Sequence, residues 1–449
     1  MMRWLGALVL SCICTFGAHA AQRVVVVTSY AQEVISRMEA EFTRANTDLA
    51  LDVIWRMPRD AMPYLESEAG KTVDVYWAAS GRNFADLAEQ GLFAAQPDLA
   101  AALPATLAGF ELSDQKARYM ASEVALYGFA INPEYLARRG LPEPASWRDL
   151  ADSRYRGHLL FPLPSRVGFA PLMIEALLQR MGWTGGWALL SEIASNARLW
   201  SPGGAFITEE VAAASKGVAV TIDFFAASAI ANGAPMRFVY PDVLAVSPGH
   251  VGILRNAPNA QGARRFVAFL LSEAGQRALL HPDVRKLPVH PDLFKEADAP
   301  AFDPYAAPLP AGWRYDARRG AVRLAVDSAV FDALITAQGA AHARLWQALR
   351  AARSAALARG DAAALSLVAR VQASALRPPI DEAQSHSPEI REGLGGRAVR
   401  GGTEAPPEAS ALSTQWQSAI ARQYADAVAR LEASGLLAED WSSQAGVKQ

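Results

Sequence analysis

Residues Leu159–Arg180 read LLFPLPSRVGFAPLMIEALLQR. Leu159, Leu160 and Phe161 form an apolar, strand-like run that ends at Pro162 and Pro164. Ser165, Arg166 and Gly168 then make a polar turn. Leu172, Ile174, Leu177 and Leu178 follow at helical spacing. In such a strand–turn–helix unit the first-turn N–H groups of the helix lack backbone partners and lie at its positive end. An arginine beside them adds a bidentate fork, which suits an oxyanion. Without a ligand, the same stretch is an ordinary loop with a solvated arginine.

The alternation extends in both directions. Val24–Val27 is a continuous β-branched run, as in a strand buried on both faces. It leads to Thr28, Ser29 and Tyr30 and then to a helix bearing Val34, Ile35, Met38 and Phe42 on one face. Leu49–Trp55 and Val73–Trp77 are further strands. Ser80 follows the latter and is placed to cap a helix over Asn83–Gln90. Val124–Ile131, Ala197–Trp200, Gly217–Ile222, Arg237–Tyr240 and His250–Leu254 complete the strand set, and Gly262–Leu280 reads as one long periodic helix. Thr208 is placed to cap a helix running to Ser215. The Gly217–Ile222 strand delivers Asp223, Phe224 and Phe225 to its carboxyl end. Strands alternating with helices over short loops predict an α/β fold with a mainly parallel sheet, and such sheets bind ligands outside the carboxyl ends of their strands. Two α/β units joined by VALYGFAIN, with a return through HVGILRN, predict two lobes, two hinge crossings and a cleft.

The totals narrow the function. Forty-three Lys and Arg against 45 Asp and Glu leave a net charge of −2, with no basic footprint for nucleic acid. Arg3, the apolar stretch Trp4–Phe16 and Ala18-His19-Ala20 read as a cleavable export signal over residues 1–20, which implies a periplasmic protein. Both cysteines, Cys12 and Cys14, fall inside it, so the mature chain has neither disulfides nor thiolate metal sites. Val9-Leu10-Ser11-Cys12 also matches a lipoprotein processing box, and anchoring at Cys12 is the alternative to soluble export.

Several segments together carry a family likeness: VVVVTSY (24–30), DVYWAAS (74–80), GFAINPEYL (128–136), WRDLADSRYRGHLLFPLPSRVG (147–168), AVTIDFFA (219–226) and FVAFLLSEAGQRALLHPDVRKLPV (266–289). In them the chain resembles the periplasmic solute-binding proteins of ABC transporters. The branch includes ferric-iron, thiamine, polyamine, 2-aminoethylphosphonate and phosphoglycerate binders. The resemblance implies a type II two-lobe fold, with one lobe from residues 21–128 and 250–297 and the other from 129–249. It also implies a non-enzymatic role and an ABC permease or a membrane sensor kinase as partner. Ferric binders of this branch place two tyrosines where this chain has Phe224-Phe225, and phenyl rings offer no oxygen to Fe³⁺. No metal or cofactor is expected.

The expected ligand is therefore a small anion of phosphoglycerate, phosphoenolpyruvate or phosphonate type. Its candidate shell is Ser29, Tyr30 and Ser80 from one lobe and Ser165, Arg166, Gly168, Thr208, Asp223 and Phe224 from the other. Ser80 and Thr208 have simple capping as their alternative, and the two phenylalanines have core packing. Asp223 either orients Arg166 or receives a ligand amine. The chemical rival is a cation such as a polyamine or thiamine, held by Asp223, Tyr30 and Phe224 as a carboxylate and aromatic cage.

Beyond residue 297 the pattern changes. A helical extension is expected over 298–376, with a Pro- and Ala-rich start and a short hairpin within Arg314–Val326. A disordered linker is expected over 377–411 and a final amphipathic helix within 412–449. Such helices need a partner surface to be stable. The extension resembles that of phosphoglycerate transport regulatory proteins, whose family role is to signal the external ligand. It is either a partner-docking surface or a packing appendage. HExxH, G-x-S-x-G and P-loop signatures are absent from the sequence.

Overall fold

The β-branched run Val24–Val27 lies in β1 (Gln22–Thr28), paired in parallel with β2 (Leu49–Trp55) on one side and β3 (Val75–Ala78) on the other. It is apolar on both faces because helices cover both. The computed structural model describes residues 21–79, 81–296, 300–394, 410–438 and 441. The expected signal peptide, Ser80 and residues 395–409 of the expected linker lie outside them.

In the first lobe the strands alternate with α1 (Gln32–Ala45), α2 (Pro58–Glu66), α3 (Arg82–Glu89) and α4 (Pro97–Ala101). A small hairpin, β4 (Thr106–Leu107) and β5 (Phe110–Glu111), precedes the long strand β6 (Met120–Ile131), in which every residue is buried. The second lobe holds α5 (Pro133–Arg138), β7 (Leu159–Pro162), α6 (Ala170–Met181), α7 (Trp183–Asn196), β8 (Ala197–Trp200), α8 (Ile207–Ala212), β9 (Val218–Ile222), α9 (Asp223–Ala231) and β10 (Arg237–Val239). The chain returns through β11 (Val246–Ile253) to α10 (Ala260–Leu271) and α11 (Glu273–Leu279). The expected single helix over 262–280 is thus two. Ser272 breaks it and caps the second with its hydroxyl, which accepts from the Gly275 N–H.

The sheet order is β2-β1-β3-β11-β6-β9-β7-β8, with β10 also on β6. Strand β6 pairs with β11 over residues 120–126 and with β9 over residues 127–131. One strand therefore belongs to both lobes. Buried polar side chains fasten this crossing. The Gln276 amide donates to the Ser122 and Leu270 carbonyls, each at 2.7 Å, and accepts from the Val289 N–H at 2.6 Å. Asp74 accepts from the Val25 N–H at 2.8 Å and the Asn259 N–H at 2.6 Å, tying β1 to the start of α10.

The extension is helical, but its start differs from expectation. In place of a hairpin, Asp316 caps α12 (Ala317–Phe331) by accepting from the Arg319 N–H. The Arg318-Arg319-Gly320 turn signal misled because Gly320 sits inside the helix, where a Cβ would collide with the Tyr315 hydroxyl. A π turn, Asp332–Thr336, leads into α13 (Gly339–Ala358), α14 (Ala362–Ala375), α15 (Pro388–Gly393) and α16 (Ala411–Ala433). Residues 377–394, expected within a linker, are folded. Ile380 and Leu394 are buried, and the Ile380 carbonyl accepts from the Trp183 indole at 3.0 Å.

The extension docks on lobe 2 and also touches lobe 1, where Tyr315 stacks on Phe110 at 4.5 Å. Helix α12 lies along α6, and the Trp346 indole of α13 donates to Ser191 of α7 at 3.1 Å. At the α6–α12 seam Arg323 is fully buried with Glu175 at 3.1 Å and Asp327 at 3.9 Å, and its guanidinium stacks on Trp183. Burial pushes both carboxyls above their usual range, and for Asp327 the facing Glu175 adds to the rise. Removing one member of such a group leaves the others buried and unpaired, which costs about 3–5 kcal/mol. Arg323→Ala is expected to lower the stability of the chain by that amount in urea unfolding. An unchanged midpoint would show that the seam does not depend on the ion cluster.

Candidate functional site

Strand β11 runs antiparallel to both β3 and β6, so β3 runs with β6, toward lobe 2. Strand β9 runs against β6, toward lobe 1, and β7 runs with β9. The carboxyl ends of both sets of strands therefore converge on the junction. Among the described residues, no side chain caps the starts of α1 at Ala31, α3 at Gly81 or α6 at Phe169, which lie there. Their positive ends remain available to a negative group. Helix α9 differs, because Asp223 places its own carboxylate at its start and accepts from the Phe224 N–H at 2.7 Å.

A buried ionic cluster joins the lobes. The Tyr30 hydroxyl donates to Glu123 at 2.9 Å, and Lys286 bonds the same carboxylate oxygen at 3.0 Å. The Lys286 ammonium lies 4.3 Å from the Phe224 ring centroid and 5.3 Å from that of Tyr30. Burial raises the Tyr30 hydroxyl well above its usual range, reinforced by Glu123. Gly249, at the bulge in β11, is needed here, because a Cβ would strike both Tyr30 and Glu123. Asp223 also accepts from the Leu126 N–H at 3.0 Å. Burial pushes its carboxyl up to about 7, against the pull of that bond and of Lys286. Burial, with Asp223 beside it, likewise raises the Tyr240 hydroxyl. A cavity of about 270 Å³ opens beside the cluster, between Asp223, Ile230 and Tyr240 of lobe 2 and Leu280, Arg285 and Lys286.

This arrangement revises two expectations. The Asp223–Tyr30–Phe224 cage read as a seat for a foreign cation holds the protein's own Lys286. Asp223 does not orient Arg166. It accepts from the backbone of β6 and α9 and bonds the Tyr240 hydroxyl, and Lys286 and Glu123 are neighbouring charges.

The Ser165–Gly168 turn lies at the other end of an aromatic run. Phe224 meets Phe225 at 4.3 Å, Phe225 meets Phe169 at 6.3 Å, and Phe169 meets Tyr127 at 5.7 Å. Both Phe224 and Phe225 are half-buried. Arg166 and Gly168 are exposed, and among the described residues Arg166 has no ion pair. The Ser165 hydroxyl donates to Asp332 of the extension at 3.1 Å. Ser29 is half-buried at the end of β1. Thr208 is buried in the first turn of α8, and Phe206 occupies the N-cap position, so the expected capping role is not met. The helix also ends at Ala212 rather than Ser215. Sequence reasoning missed Glu123, Lys286 and Phe169. The signal was present for Phe169, an aromatic directly before the helix. It was absent for the ion pair, whose partners lie 163 positions apart.

The sequence profile of the bacterial extracellular solute-binding protein family matches residues 71–317, more than half of the chain. The chain belongs to this family. This solute-binding protein is 38% identical, over 172 residues, to the phosphoglycerate transport regulatory protein PgtC of Salmonella typhimurium. That match covers 38% of this chain and 43% of the relative's length. In structure it is similar to the periplasmic binding protein AfuA of Actinobacillus pleuropneumoniae, solved with fructose-6-phosphate bound, at TM-score 0.50 and 20% identity. That likeness covers 66% of this chain and 90% of the other. Ferric iron-binding protein A of Mannheimia haemolytica, in an open conformation, matches at TM-score 0.55 and 15% identity over 70% of this chain and 98% of the other. Identities this low speak for the two-lobe fold and leave the ligand open.

The Asp223 carboxyl carries a pH signature. Its folded value of about 7 lies above the ~3.9 of an unfolded chain, so the fold binds its proton more tightly. Its contribution is neutral at low pH and becomes a growing penalty as pH rises toward 7. Asp223→Asn is expected to remove up to about 1.4 kcal/mol per pH unit from the fall in stability between pH 4 and 7. Urea melts at several pH values measure it, and parallel pH profiles for the two proteins would contradict it.

Proposed function

We infer that the mature chain is a periplasmic receptor that closes two lobes on a small oxyanion of phosphoglycerate, phosphoenolpyruvate or phosphonate type. It then serves ABC-type uptake or reports the ligand to a membrane sensor kinase. The observation that carries this reading is the set of helix starts at α1, α3 and α6, which no described side chain caps. They come from both lobes, and Arg166 stands exposed beside the third. Positive helix ends and an unpaired guanidinium favour a negatively charged group. A ligand touching both lobes supplies the differential contacts that closure requires. Lys286 within the aromatic cage weighs against a polyamine or thiamine. Phe224 and Phe225 lack the oxygen atoms that ferric iron needs. The relative named for phosphoglycerate transport regulation agrees with the anion class.

A thermal-shift screen of the purified chain tests this reading. It would include 3-phosphoglycerate, phosphoenolpyruvate, 2-aminoethylphosphonate, inorganic phosphate, Fe³⁺, thiamine and spermidine. Stabilisation by one or more of the phosphorylated or phosphonylated acids is expected. A response to spermidine, thiamine or Fe³⁺ alone would reject the oxyanion. Arg166→Ala is expected to weaken binding of the responding acid by about tenfold or more, as for loss of a charge-assisted hydrogen bond. Equal affinity by calorimetry would return Arg166 to a solvated loop.

A further inference from the structure

The C-terminal extension also touches the turn that the oxyanion reading assigns to the ligand. Ser165 donates its hydroxyl proton to Asp332 at 3.1 Å. Asp332 opens the π turn Asp332–Thr336, and its carbonyl accepts from the Ala337 N–H at 2.8 Å. A π turn within otherwise α-helical structure often marks a functional position. Other parts of the extension hold this one. The Tyr424 hydroxyl of α16 donates to the Leu334 carbonyl at 2.7 Å, and the Gln338 amide bridges the Ala333 and Gln417 carbonyls at 3.0 Å each. One residue before Asp332, Phe331 stacks on Phe161 of β7, the strand that leads into the turn, at 5.9 Å and 7°.

We propose that Asp332 couples the extension to the ligand loop by competing with a bound oxyanion for Ser165. The proposal rests on the oxyanion reading of that loop. A serine hydroxyl has one proton to donate. While Asp332 holds it, an arriving anion meets a carboxylate in place of a donor, and like charges so close repel. Binding therefore redirects the Ser165 O–H from Asp332 to the ligand and breaks this link between the loop and the π turn. The linkage is reciprocal: whatever strengthens the Ser165–Asp332 bond weakens ligand binding, and ligand loosens the π turn. Asp332 is a positioning residue that tunes affinity and carries occupancy into the extension.

Asp332→Asn tests this, because the amide oxygen can still accept from Ser165 while the charge is gone. Calorimetric titration with 3-phosphoglycerate, or with whichever oxyanion responds best in the screen, is expected to give an affinity about fivefold or more tighter than wild type. Hydrogen exchange on the unmodified chain gives a second measurement that needs no variant. Amides of residues 332–338 should exchange faster at saturating probe. Unchanged or weaker affinity in Asp332→Asn, or ligand-independent exchange in this segment, overturns the coupling and leaves the oxyanion reading intact. Failure of the unmodified chain to bind any oxyanion of the screen overturns both.

Discussion

Twelve residues, Met120–Ile131, are shared by the two lobes, and the rest of the molecule is arranged around that sharing. A strand cannot leave one sheet for another unless its hydrogen bonds are taken up at every step. Here β11 takes them as far as Leu126 and β9 from Tyr127 onward. The direction of this one strand sets the polarity of both lobes. It brings their strand ends together and so fixes where a cleft lies. The ionic cluster sits at the same junction. Glu123 comes from the crossing strand itself, and Tyr30 and Lys286 close on it from lobe 1.

Charge is managed differently on the two sides of lobe 2. On the cleft side, no described side chain caps the start of α6, and Arg166 is left in solvent. At the seam with the extension, Arg323 is buried among the carboxylates of Glu175, Asp327 and Glu382, with the indole of Trp183 against it. The first arrangement keeps electrostatic capacity for a ligand. The second consumes it at the seam between α6 and α12. The extension also meets lobe 1, where Tyr315 stacks on Phe110 at 4.5 Å and donates its N–H to the Gly109 carbonyl at 3.0 Å.

The regular elements were largely legible. The expected bounds of Leu49–Trp55 and Ala197–Trp200 match the observed strands to the residue. The errors fell where a local signal was overruled by a distant contact. Gly320 reads as a turn until Tyr315 is seen to need the space. Residues 377–394 read as linker until Trp183, some 200 positions earlier, is seen to hold Ile380. At the candidate site, Ser165, Arg166, Asp223 and Phe224 are legible because a strand end or a helix start marks them in the sequence. Glu123 and Lys286 carry no such mark.

By itself the sequence determined the α/β alternation, the two crossings, the strand ends that face the cleft and the family to which those segments belong. These follow from periodicity and from turn chemistry, which act over a few residues. Only the tertiary structure decided that Lys286 occupies the aromatic cage, that Asp223 serves the hinge backbone rather than Arg166, and that the extension reaches Ser165 through Asp332. Each of these is a meeting of charged or polar groups far apart in the chain. Burial at that meeting determines their chemistry, and burial is a property of the packed fold, not of neighbouring residues.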